Sequence, residues 1–318
     1  MKKSFETIYS IIIVLFTIYV LLDTFVIEKR YQLVVEEPHL IEYISNDNSE
    51  LYKSNIQNNE KSSPNTKEEQ KTVETVSNAS YYSDANITIS VTGYYEYNSS
   101  IYVAEVEIKN PLLLKTAFAK SSYGRNITEK TSTMASRVNA ILAVNGDYYG
   151  IQEKGFVLRN GTIYRNTSVR NQEDLVIYKD GSFEIINESE TSLESVLAKG
   201  AYNLLSFGPT LVNDSKVSSH LNEDRGVATN NNPRTAIGVL ANGHYVFVVS
   251  DGRTSKSAGL TLVKLAEFMA RIGCRIAYNL DGGGSSTMYF NGRVINNPTN
   301  FGDRIIERSI SDIVYVGY

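Results

Sequence analysis

The sequence predicts an α+β fold: a mixed, largely antiparallel β-sheet with hairpins and a few packed helices, preceded by one transmembrane helix. Asn160-Gly161, Asp180-Gly181, Asn242-Gly243 and Asn291-Gly292 each separate two apolar runs, and Asn or Asp followed by Gly suits the type I′ turn of a tight hairpin. Capped helical periodicity occurs at only two places in the same region. Ahead of it, residues 8–27 are apolar apart from Tyr, Ser, Thr and Asp23, and about 20 residues match a hydrocarbon core of roughly 30 Å.

In chain order, residues 1–30 read as a signal anchor. Lys2 and Lys3 precede the span and no small-x-small cleavage pattern follows it, which predicts an uncleaved anchor with its N-terminus inside. Residues 31–85 turn to Asn, Ser, Lys and Glu, with too few branched apolar side chains for a core, and read as a disordered stalk. Residues 86–318 are the globular part. There Tyr102, Ala104, Val106 and Ile108 alternate with Val103, Glu105, Glu107 and Lys109, a half-buried strand that pairs with residues 87–95. Thr131 or Ser132 caps a short helix carrying Met134, Ala135 and Val138, which leads into an apolar strand at 140–144. A stronger helix covers residues 261–272, with Leu262, Leu265, Ala266, Met269 and Ile272 on one face and Gly273 as its stop. Lying between apolar runs at 245–249 and 275–280, it predicts a right-handed parallel crossover.

Formal net charge is −4 and no Lys/Arg block lies away from the ends of the span, so nucleic acid is not an expected partner. The membrane is one, through the N-terminal helix. Cys274 is the only cysteine, which excludes a disulfide framework and every multi-cysteine zinc motif. An exported chain without disulfides fits a Gram-positive cell membrane, single-pass, with the C-terminal domain outside.

Histidine is scarce. His39 lies in the stalk, His244 begins a strand, and a Ser-His-Asp triad would have to use His220 in a polar loop. Cys274 follows the helix stop and reads as packed rather than nucleophilic. Carboxylates, arginines and hydroxyls remain, and they gather at strand ends: Asn145-Gly146-Asp147, Asn232-Pro233-Arg234-Thr235, Asp251-Gly252-Arg253, Asn279 through Ser286, and Glu307-Arg308. Loops at strand ends converge on a rigid frame, which is where ligand groups collect. The run Asn279-Leu280-Asp281-Gly282-Gly283-Gly284-Ser285-Ser286 lacks the lysine of a P-loop and leads into a strand. A bend alone needs one or two glycines. A third position without a side chain lets backbone N–H groups approach an anion or a sugar oxygen.

At these residues the chain resembles the phosphodiester glycosidase family. The resemblance runs over roughly residues 102–316 and rests on residues 143–149, Arg234-Thr235-Ala236-Ile237-Gly238, Ser250-Asp251-Gly252-Arg253, residues 277–286 and Glu307-Arg308. It implies hydrolysis of a sugar-1-phosphodiester at its glycosidic C1–O bond, on a cell-surface glycan or exopolysaccharide. A phosphomonoester is a good leaving group, so holding its charge matters more than protonating it, and Arg234, Arg253 and the backbone of Gly282, Gly283 and Gly284 are the candidates. Attack at the anomeric carbon needs carboxylates, expected to be Asp281 first and then Asp251 and Glu307. Asn145, Asp147, Thr235, Asn279, Ser285, Ser286 and Arg308 complete the expected substrate-binding set. At Asp147 the chain departs from the family pattern, which often carries glycine there.

No cofactor is required by this reading. A divalent cation enters in a rival one, a phosphoesterase in which Asp147, Asp251 and Asp281 bind Mg²⁺ or Ca²⁺ and cut P–O. A second rival is a non-catalytic glycan-binding module, for which the 22 tyrosines would supply platforms in a chain without Trp.

Overall fold

The computed structural model describes residues 2–31, 75–222, 229–301 and 304–318. Helix α1 (Lys2–Phe25) comes first; its stretch Thr7–Phe25 has mean hydropathy 2.2 and is 0% buried. At 1.5 Å per residue it reaches about 28 Å, long and apolar enough to cross a membrane. Most of the expected stalk lies outside the described residues. Its last ten residues do not behave as one: Val76–Ser77 and Tyr81–Ser83 add two strands to a sheet, ahead of the expected start at Asn86. The polar residues that made this stretch look like a spacer are its turns. Asn78 Oδ1 accepts from the N–H groups of Ser80 and Tyr81, and Asp84 Oδ1 from those of Asn86 and Ile87.

Eight strands frame the site: β1 (Ile87–Glu96), β2 (Ser99–Ile108), β3 (Leu142–Asn145), β4 (Arg234–Ala241), β5 (His244–Ser250), β6 (Ile276–Asn279), β7 (Met288–Phe290) and β8 (Asp312–Val316). A nine-stranded sheet runs Lys216–Val217, Thr210–Asn213, β6, β4, β5, β2, β1, Tyr81–Ser83, Val76–Ser77. A five-stranded sheet runs Arg293–Val294, β7, β3, β8, Leu114–Phe118, and a second one is built from residues 157–205. The inner faces of all three share one core, in which Ala104, Ile237 and Tyr278 meet Leu142, Val144 and Val314, and Leu175, Ile177 and Leu205. The even-numbered residues of β2 enter this core, as their alternation predicts.

A helix closes the outer face of each sheet. Helix α2 (Thr131–Arg137) lays Met134 and Ala135 on Ala143, Tyr289 and Ile313; α3 (Leu193–Ala198) covers the sheet of residues 157–205; α4 (Leu262–Arg271) covers β2, β4 and β5 with Leu265, Ala266 and Met269. Thr261 caps α4, its Oγ1 accepting from Lys264 N–H, and Gly273 ends it at φ +96° while Cys274 N–H returns to Met269 O. Cys274 is buried and its thiol pushed up to about 12 by that burial, so it packs.

Three local expectations change. The ladders are antiparallel around the crossover as well: β5 and β6 share a direction, but β4 lodges between them and pairs antiparallel with both. Type I′ geometry holds at Asn160-Gly161 and Asn291-Gly292, where both residues have positive φ, and not at Asp180-Gly181 or Asn242-Gly243, where only the glycine does. Asp180 instead accepts from Ser182 N–H and Oγ, an Asx turn that keeps it in the ordinary region. Neither Thr131 nor Ser132 caps α2; Glu307 does, from a distant part of the chain.

Candidate active site

β6 belongs to the nine-stranded sheet and β7 to a five-stranded one, so residues 280–287 must carry the chain round a corner between sheets. Asn145, at the end of β3, fastens that corner. Its Nδ2 donates to Asp281 O at 2.6 Å, and its Oδ1 accepts from Thr235 Oγ1 at 2.8 Å and Thr287 N–H at 3.3 Å. Asp281 N–H donates to Gly146 O at 3.2 Å. Asn145 and Thr235, fully buried and mutually bonded, therefore hold the backbone of the site.

Each glycine of the corner makes room for a different neighbour. A Cβ on Gly282 would stand 2.9 Å from Pro233 O, one on Gly284 2.9 Å from Asn300 Oδ1, and one on Gly283, at φ +63°, 2.7 Å from the Arg253 guanidinium. Arg253 is exposed and donates to Asn232 Oδ1 at 3.2–3.3 Å. Arg234 lies buried under Gly282, its Nε donating to Leu260 O at 3.0 Å. Burial, reinforced by the charge of Arg253, pushes Arg234 down to about 10. Arg308 flanks Gly284 and donates from Nε to Ser285 Oγ at 2.9 Å.

Asp281 follows β6 directly. Its Oδ2 accepts from Ser285 Oγ at 2.5 Å and from Arg308 Nη2 at 3.1 Å, and its side chain keeps 14% of its surface exposed. Burial raises its pKa above the ordinary carboxylate range, against the opposing pull of Ser285 and Arg308. It faces a cavity of about 140 Å³, whose lining also includes Thr128, Tyr148, Ile151, Ser285, Arg308 and Asp312.

Asp147 and Asp312 also line that cavity, and they belong to a buried cluster of which sequence reading named only Asp147. Arg159 Nη2 bridges Asp147 Oδ2 at 2.8 Å and Asp312 Oδ2 at 2.9 Å, with all three side chains at most 2% exposed. Asp147 also accepts from Ser206, Tyr148 and Tyr149 N–H groups, so its carboxylate, expected at the substrate, is saturated by protein donors. Burial, with Asp147's charge added, raises Asp312. Asp312 opens an otherwise apolar strand, a signal that could have found it; Arg159 sits before a turn pair and gave none.

The remaining candidates are elsewhere. Asp251 is buried at the end of β5, two inter-strand spacings or roughly 10 Å of backbone from the strand that leads to Asp281. It accepts from Asn297 N–H at 2.8 Å, Asn297 Nδ2 at 2.9 Å and Asn296 Nδ2 at 3.2 Å, and burial raises its pKa against those bonds. Glu307 does not line the cavity. Its two oxygens accept from Ser132 N–H at 3.1 Å and Ser132 Oγ at 2.5 Å, the capping of α2 noted above. Asn279 Nδ2 donates to Gly208 O at 2.7 Å, while its Oδ1 and Ser286 Oγ are buried without a partner among the described residues. No group of three or more His, Cys, Asp or Glu side chains is placed to hold a metal ion among the described residues.

The sequence model described as phosphodiester glycosidase matches residues 138–317, more than half the chain and every element of this corner. The chain belongs to the phosphodiester glycosidase family. Among curated relatives, the SPbeta prophage-derived uncharacterized protein YomE of Bacillus subtilis is 29% identical over 62% of this chain and 31% of its own length. Human N-acetylglucosamine-1-phosphodiester alpha-N-acetylglucosaminidase is 40% identical over 21% of this chain and 13% of its own length. The chain thus spans a third or less of these relatives. The zebrafish N-acetylglucosamine-1-phosphodiester alpha-N-acetylglucosaminidase catalytic domain, solved auto-inhibited by its pro-peptide, has TM-score 0.58 at 21% identity, covering 78% of this chain and 88% of that one. A hypothetical protein from Synechocystis has TM-score 0.50 at 15% identity over 73% of this chain and 62% of that one. At such identities these solved structures bear on the fold alone.

Proposed function

We propose that this domain hydrolyses a sugar-1-phosphodiester at the glycosidic C1–O bond, with Asp281 as the carboxylate that acts at the anomeric carbon. The observation that carries the reading is the setting of Asp281: a half-buried carboxylate on a cavity wall, fixed by Ser285 and Arg308, on a glycine corner flanked by Arg253 and Arg234. Such a carboxylate can attack C1 or activate water, and Arg308 on the same cavity wall, with exposed Arg253 beside the corner, can hold the departing phosphate. Departure as a phosphomonoester needs little protonation, and the other two carboxylates of the cavity lining, Asp147 and Asp312, are both tied to Arg159. The cavity, small against ordinary clefts of roughly 300 Å³ or more, takes the reacting end of a substrate and leaves the rest outside.

Hydrolysis in ¹⁸O-labelled water tests the reading. Label recovered in the sugar supports C–O cleavage; label in phosphate indicates P–O cleavage and overturns it. With Asp281→Asn, retained glycan binding and lost turnover separates catalysis from mere binding. We further propose that α1 anchors the chain in a bacterial cell membrane with the domain outside, acting on cell-surface glycan or exopolysaccharide phosphodiesters.

A further inference from the structure

We propose that the exit of the membrane span is built into the domain beside the cavity, so that the site works in the lipid headgroup layer on a sugar-1-phosphodiester whose other ester group is a lipid. The substrate half of this rests on the glycosidase reading; the placement does not.

The chain does not leave α1 on a free tether. Lys29 and Arg30 pair at once with Arg125 and Gly124, and a Cβ on Gly124 would stand 1.9 Å from Lys29 O, so only glycine admits the contact. Asn126 Nδ2 donates to Thr24 O and Ile27 O, each at 3.1 Å, satisfying carbonyls at the end of the span that would otherwise lie unpaired at the membrane boundary. The Tyr31 ring meets Tyr123 at 5.8 Å, and Tyr123 stacks on Tyr149 at 5.4 Å.

The same residues lead into the site. Asn126 N–H donates to Gly150 O at 3.2 Å, and Ile151, one residue past Gly150, and Thr128, two past Asn126, line the cavity that Asp281 faces. Two hydrogen-bonded steps therefore separate the end of the span from the cavity lip, roughly 10 Å. The headgroup layer on one side of a bilayer is about 5–8 Å thick. A path of roughly 10 Å is the upper limit of the lip's height above the end of the span, so a span that crosses the membrane holds the lip within or at the outer edge of that layer. Tyr148 and Ile151, 37% and 42% exposed, make the lip apolar where the non-sugar part of a substrate must emerge. A soluble glycan gains nothing from that arrangement; a lipid ester whose phosphate lies at the headgroup plane is delivered to it.

The test uses the full chain in phosphatidylglycerol–phosphatidylcholine vesicles with two probes, N-acetylglucosamine-1-phosphohexadecyl ester in the vesicles and the corresponding methyl ester in solution. Ten Gly/Ser residues inserted after Ile27 give the domain a reach of roughly 17 Å from the span. The expected result is at least tenfold faster cleavage of the hexadecyl probe by the natural chain, with that preference lost in the insertion variant and the methyl rate unchanged. Cleavage of both probes at a ratio the insertion does not alter overturns the proposal and leaves the glycosidase reading standing. Cleavage of neither overturns the glycosidase reading and with it the substrate assignment. Placement has its own readout, because the chain has no Trp. Fluorescence of an Ile151→Trp variant quenched by lipids brominated high on the acyl chain supports it, and unquenched fluorescence overturns it.

Discussion

Arg308 reaches Asp281 Oδ2 with Nη2 at 3.1 Å while its Nε holds the Ser285 hydroxyl that also bonds that oxygen. The carboxylate is thus fixed by a fork and a hydroxyl, and its proton affinity is a contest between burial, which raises it, and these two partners, which lower it. Asp281→Asn should reduce kcat by roughly 10³-fold or more with an unchanged melting temperature. A carboxylate that must be ionised to act loses activity as pH falls through its folded pKa, here above the ordinary range. Arg308→Gln removes a lowering partner, so the acid limb of the kcat/KM profile should move to higher pH. An unmoved limb would separate Arg308 from the charge of Asp281.

Gly283 and Arg253 form a second linked pair. A Cβ at φ +63° strains the backbone and meets the guanidinium at 2.7 Å. Gly283→Ala and Arg253→Ala should each raise KM for a phosphodiester by roughly tenfold, and the double variant should add little to either. Full additivity in that cycle would mean that the glycine does not act through Arg253.

Much of this corner could be read from the chain because its signals are local. The glycines, the strand before them and the arginine-bearing strand ends announce themselves within a few residues, and so do α4, its Thr261 cap and its Gly273 stop. Glu307 misled because its partner comes from far away in sequence: Ser132, 175 residues upstream, takes it, whereas Asp147 does line the cavity and the unread part is the guanidinium of Arg159, twelve residues on, that occupies it. A carboxylate looks the same in sequence whether it awaits a substrate or a buried guanidinium. The end of the stalk misled for the opposite reason, since Asn and Asp that build turns have the same composition as a spacer.

Glu307 supplies a direct check on that distinction. If its oxygens cap α2, Glu307→Ala removes acceptors from the first turn and should cost about 1 kcal/mol, a fall in Tm of roughly 2–4 °C, with kcat within about threefold of the natural chain. Glu307→Gln should recover part of the stability. A fall in kcat of roughly 10³-fold at unchanged Tm would instead return Glu307 to the reacting centre.

The buried acid Asp174 gives the fold a pH dependence of definite sign. Its side chain is fully buried, and burial pushes its pKa up to about 10, with the charge of nearby Glu188 adding to the shift. In the unfolded chain it ionises near the ordinary value of about 3.9. Between these limits the folded state holds a proton that the unfolded state has released, so stability is greatest at the acid end and is lost as pH rises toward the folded pKa. The natural chain should therefore lose at least ~1 kcal/mol of stability between pH 5 and pH 9 through this group, since each pKa unit is worth about 1.4 kcal/mol. Asp174→Asn keeps the shape, cannot ionise, and should flatten that slope when urea midpoints are compared across the range. Parallel slopes in the two proteins would show that Asp174 is already ionised in the fold.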